Sequence, residues 1–108
     1  MPLVPQFAVY RNRNRRTRAA YPLLVDAQAE LFEDLQTRAV IPLTKAVSLS
    51  EFPLTYLTPT LTFEGESYVL MTPQLAAVAL THLGQLVGSV ADQQRAISTA
   101  LDFLFRGF

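Results

Sequence analysis

The chain has 108 residues, half of them hydrophobic, which is the size and apolar content of one compact domain. It has no cysteine, so disulfides, thiolate metal sites and cysteine nucleophiles are excluded. Its net charge is zero but unevenly placed. Residues 1–22 hold Arg11, Arg13, Arg15, Arg16 and Arg18 and no acid, whereas the rest of the chain holds four basic and nine acidic side chains. That is one basic spot on an acidic body, not a general polyanion binder.

The N-terminal QFAVY, residues 6–10, alternates polar and apolar side chains and reads as a strand. RNRNRRTR, residues 11–18, is too polar and too self-repelling for a core element and reads as a loop. A second strand resumes at about Leu23, with Pro22 at its start, so the first two strands form a hairpin. AELFEDLQ, residues 29–36, is compatible with helix or turn. AVIPL, residues 39–43, reads as a strand with an edge or bulge at Pro42, and residues 44–53 are ambiguous. LTYLTPTLTF, EGE and SYVLMT, residues 54–72, form the clearest hairpin, with a glycine turn between two Thr- and aromatic-rich runs. The longest apolar stretch, residues 75–87, is too short to span a bilayer as a helix.

Ser89 reads as a helix N-cap with Asp92 in a capping-box position. The helix is expected over about 90–105, with Ile97, Leu101, Leu104 and Phe105 on an inward face and Gly107 as the stop. The expected fold class is therefore mainly β: an antiparallel sheet of about five strands closed by one C-terminal α-helix, in a single domain. The apolar residues of the N-terminus precede its charges, the reverse of a secretory signal, and a cytoplasmic protein is expected.

Catalytic chemistry is sparse. His82 is the single histidine, and nothing resembles a phosphate loop, a dinucleotide fingerprint or a metal-ligand cluster. No cofactor, no metal and no catalytic residue are assigned, and an enzyme is not expected. The arginine run admits two readings: a nucleic-acid contact through Arg11, Arg13, Arg15, Arg16 and Arg18, or a mobile, solvated hairpin tip.

Five segments occur together in order: QFAVYRN, LLVDAQAEL, RAVIPL, TFEGESYVLMTPQLA and AISTALDFLFRGF. With this order and spacing the chain resembles the CcdB family of bacterial toxins, over about residues 6–108. The resemblance implies an SH3-like antiparallel fold and a homodimer. It implies a toxin that binds the A subunit of DNA gyrase and traps the enzyme on cleaved DNA. It also implies a cognate antitoxin that neutralises the toxin, with repression of operator DNA by the two proteins together.

In that family the gyrase contact lies at the end of the last helix. Carried onto this sequence, the implied gyrase-binding residues are Leu31, Phe32, Asp102, Phe105, Arg106, Gly107 and Phe108. Arg106 stands where the family has a tryptophan that stacks on an arginine of the target, and Asp102 where it has an asparagine. A tryptophan face attracts a guanidinium by about 0.5–2 kcal/mol, whereas arginine facing arginine repels. Two alternatives to gyrase inhibition therefore stay open: a toxin homologue that has lost poisoning and regulates through its antitoxin, and an endoribonuclease.

Overall fold

A computed structural model describes residues 6–28, 36–49 and 56–107. Among the described residues there are seven strands, β1 (Ala8–Asn12), β2 (Leu23–Asp26), β3 (Thr37–Lys45), β4 (Thr60–Phe63), β5 (Glu66–Leu70), β6 (Ala76–Ala79) and β7 (Leu83–Ser89), and one α-helix, α1 (Gln94–Arg106). All the pairings are antiparallel, in the order β4-β5-β3-β2-β1-β7, with β6 added to β3. The protein is thus mainly β, a curled SH3-like half-barrel with a C-terminal helix.

β3 organises the sheet. Its middle, Val40 to Leu43, pairs with β2 on one side. On the other side its first half, Thr37 to Val40, pairs with β6, and its end, Leu43 to Lys45, pairs with β5. Pro42 falls where one partner ends and the other begins. Its carbonyl, on that side, accepts from Met71 N–H at 2.9 Å. The side that would have needed a proline N–H therefore holds a seam between strands. Pro42 sits in a central strand without an edge or bulge because the neighbour changes there.

The core is built from alternate residues of the strands: Val9, Leu23, Val25, Ile41, Leu43, Leu61, Phe63, Tyr68 and Leu70, with Ile97 and Ala100 of α1 laid across them. Two contacts bring the ends of the sheet together. A Cβ at Gly88 of β7 would lie 2.8 Å from the ring of Phe63 on β4, so glycine is what lets that ring in. The side chain of Gln93, just before α1, then pairs with the free edge of β4. Its Nε2 donates to Thr62 O at 2.8 Å, and its Oε1 accepts from Thr62 N–H at 2.9 Å.

Several expectations shift. β6 and β7 occupy the apolar stretch after residue 75, which has no clean alternation to announce strands. The hairpin at 54–72 is real but short: β4 begins at Thr60, and Glu64 and Gly65 both take positive φ, 50° and 78°. Ser89 caps earlier than the helix itself. Its Oγ accepts from Ala91 N–H at 3.0 Å, which starts a 3₁₀ turn, and α1 begins at Gln94. The segment 29–35 lies outside the described residues.

Candidate functional site

The end of α1 is a polar-aromatic face. Ile97 and Ala100 are buried, so the opposite face of the helix, with Arg95, Ser98, Asp102, Phe105 and Arg106, points to solvent. Asp102, Phe105 and Arg106 stand three and four residues apart and form one surface. Phe105 is 71% exposed, which corrects its placement on the inward face. The inward positions belong to Ile97 and Ala100, with Leu101 packed at their margin. Phe103 turns elsewhere and stacks on Tyr56, with ring centroids 5.1 Å apart and planes 7° apart. The sequence gives no sign of that stack, since Tyr56 lies 47 positions upstream in an irregular segment.

Gly107 ends the helix in the left-handed conformation, φ 79°, and its N–H donates to Phe103 O at 3.0 Å. An added Cβ would meet nothing within 4 Å, so the backbone angle rather than crowding favours glycine here. Arg106 lies in the last turn, where a cation complements the helix dipole. Of the seven residues that the family resemblance assigned to gyrase, the structure gathers Asp102, Phe105, Arg106 and Gly107. Leu31, Phe32 and Phe108 lie outside the described residues.

The arginine loop is a hydrogen-bonded structure. Asn12 is buried, and its Nδ2 donates to Thr17 Oγ1 at 2.9 Å and to Tyr21 O at 2.8 Å. Its Oδ1 accepts from Asn14 N–H at 2.9 Å, and Asn14 Oδ1 accepts from Arg16 N–H at 2.9 Å. The carbonyl of Asn14 accepts from Thr17 and Arg18 N–H. The two asparagines thus fold the loop, and the arginines that flank them are exposed. Arg11, Arg13, Arg15 and Arg18 line one open cavity of about 540 Å³ beside Gly84 of β7.

Beneath the sheet, Asp26 and Arg38 form a wholly buried bidentate pair, with Nε–Oδ2 at 2.8 Å and Nη2–Oδ1 at 3.0 Å. Gln28 ties it to the backbone. Its N–H donates to Asp26 Oδ1, its carbonyl accepts from Arg38 Nη2, and its Oε1 accepts from Ala39 N–H. Burial raises the pKa of Tyr10 above the ordinary tyrosine value, the Asp26 carboxylate raises it further, and Arg38 opposes the shift. The pair is fully satisfied within the fold and is a structural element.

A third surface carries almost no charge. Residues 67–91 contain no Asp, Glu, Lys or Arg, yet β6 and β7 are poorly covered. Ala76, Ala77, Leu80 and Leu86 are exposed, Leu86 by 52%. His82 ends the turn between the two strands, and its carbonyl accepts from Arg13 N–H at 3.4 Å. Among the described residues, no group of three His, Cys, Asp or Glu side chains converges, and no helix is long and apolar enough to cross a membrane.

The fold and site define a small, mainly β protein: a curled antiparallel half-barrel that ends in a helix with an exposed aromatic and basic tip. The family model described as CcdB protein matches residues 6–107. The chain belongs to the CcdB family, the toxin component of bacterial toxin–antitoxin pairs, and the family carries an antitoxin partner and a gyrase interaction in general.

Proposed function

We propose that this protein is a non-enzymatic toxin that inhibits DNA gyrase by binding its A subunit. It acts in the cytoplasm, is neutralised by a cognate antitoxin, and represses its own operon as a complex with it. The observation that carries the reading is the solvent-facing surface of Asp102, Phe105 and Arg106 at the end of α1, in a chain of this family. Nothing in the core accounts for a phenylalanine left 71% exposed there. The working form is a homodimer, supported by the uncharged, exposed β6–β7 surface.

The test is supercoiling and DNA-cleavage assays with gyrase of the same host. Wild-type protein is expected to inhibit supercoiling and accumulate cleaved DNA. A variant lacking residues 106–108 is expected to lose both effects, with stability changed by less than about 0.5 kcal/mol and antitoxin binding retained. Arg106→Trp is expected to strengthen inhibition of gyrases with an arginine at the contact, by about 0.5–2 kcal/mol. Truncation that unfolds the protein would make the tip structural.

One observation favours a second reading, a regulatory homologue without poisoning: Arg106 occupies the position of the family's stacking tryptophan. Wild type that binds antitoxin and never touches gyrase, with no gain from Arg106→Trp, would replace the first reading by this one.

A further inference from the structure

We propose that the cup formed by the β1–β2 loop and the start of β7 binds the phosphodiester backbone of duplex DNA directly, through the toxin chain itself. The proposal is independent of gyrase poisoning and requires neither gyrase nor antitoxin.

Four arginines, Arg11, Arg13, Arg15 and Arg18, line a single open cavity of about 540 Å³. All four are exposed, and among the described residues none forms an ion pair. The ion pairs found there are Asp26–Arg38, which is buried, and Lys45–Glu66. Arg11 also borders a neighbouring pocket that holds Glu64 and Glu66, but the cup itself has no acidic side chain beside Arg13, Arg15 and Arg18, and a surface built for solubility alone interleaves the two signs. Here the fold does the opposite. Buried Asn12 and the turns around Asn14 hold the arginine-bearing backbone in a fixed frame. Gly84 lets β7 lie directly against that frame: a Cβ there would sit 2.7 Å from Arg11 O and 2.9 Å from Arg13 Cγ. The charges are therefore concentrated and positioned before any ligand arrives, which reduces the cost of ordering them on binding.

The lining selects the ligand. Guanidinium forks match phosphate oxygens bidentately. The cup contains no aromatic side chain, and single-stranded nucleic acid is held largely by bases stacked on aromatics. Leu83 is its one aliphatic member, so an acidic peptide would find few apolar anchors. What remains is a ligand recognised by backbone charge alone, and duplex DNA presents the densest regular array of phosphates.

The test uses the full-length protein by itself and a fluorescently labelled DNA duplex of arbitrary sequence, with affinity measured by anisotropy over a salt series. Wild type is expected to bind regardless of sequence, with log affinity falling against log salt at a slope of about −3 to −4 for four phosphate contacts. Arg15→Gln and Arg18→Gln are each expected to reduce the slope by about 1, and Arg13→Ser/Arg15→Ser/Arg18→Ser to lower low-salt affinity at least about tenfold. Arg95→Ser, which removes the same charge from α1, is expected to change neither. Thermal melts accompany every variant, and the single substitutions carry the test if the triple variant does not fold. Absence of wild-type binding at low salt overturns the proposal. So does a slope that the cup substitutions leave unchanged. Displacement of the duplex by polyglutamate at equal charge concentration also overturns it, in favour of an acidic-peptide site.

Discussion

At the scale of single residues, the buried Asp26–Arg38 pair carries the largest consequence. Replacing one partner strands a charge in the interior, which costs about 3–5 kcal/mol. Asp26→Ala is therefore expected to lower the urea midpoint by that equivalent. A substitution at the exposed Lys45–Glu66 pair, whose atoms stand 3.6 Å apart, is expected to cost under about 1 kcal/mol. Equal effects at the two pairs would show that Asp26 is not the anchor its burial implies. Tyr10, beside the buried pair, gives a pH signature. Its pKa in the fold lies above the ordinary value of 10.0, chiefly through burial. As pH rises past that value the unfolded chain loses its phenolic proton first, so the unfolded state is favoured. This stability term is complete below about pH 10 and is lost as pH climbs through the folded pKa. Tyr10→Phe is expected to make unfolding free energy fall less steeply above about pH 10. Part of the slope is expected to remain, because burial also raises Tyr68. An unchanged slope would remove Tyr10 as a source.

At the scale of elements, closure of the half-barrel depends on few groups. Gln93 satisfies both backbone groups of Thr62 on the free edge of β4. Gln93→Ala is expected to destabilise by about 1–2 kcal/mol and to speed hydrogen exchange at Thr62 selectively. Uniform exchange changes across the sheet would show that Gln93 does not clamp that edge. The β6–β7 surface belongs to this scale too. An exposed strand without charged side chains is open to pairing with another copy. Ala77→Lys is expected to leave the melt within about 0.5 kcal/mol of the dissociated wild type and to yield monomers in sedimentation at micromolar concentration. A variant that remains dimeric would place the interface elsewhere on the molecule.

At the scale of the whole molecule, the tip of α1 is built from a different element than the arginine cup and the β6–β7 face, which share β7, so substitutions in the tip are expected to add to those in the cup. A protein that carries the tip truncation together with the cup substitutions is accordingly expected to lose gyrase inhibition and DNA affinity independently. Coupling between the two readouts would indicate that DNA and gyrase are engaged as one assembly.

Local elements are legible in short stretches of the chain. The β1–β2 hairpin, the Glu64–Gly65 turn, the strand around Pro42 and the amphipathic C-terminal helix each follow from patterns a few residues long, and five ordered segments determined the family. What lies between distant residues came from the tertiary structure alone. Phe105 sits at helical spacing from Ile97 and Leu101, and periodicity cannot tell the margin of an apolar stripe from its centre. The sheet decides that, by covering Ile97 and Ala100 first. β6 and β7 were invisible because strands that pair across long separations, here Ala77 with Ala39 and Val9 with Gly88, need no alternation of their own. The arginine run by its composition admits both a solvated tip and a site, and a solvated tip is the more ordinary of the two. The hydrogen bonds of Asn12 and the approach of Gly84 gather its charges into a cup, and both depend on where β7 returns beside β1.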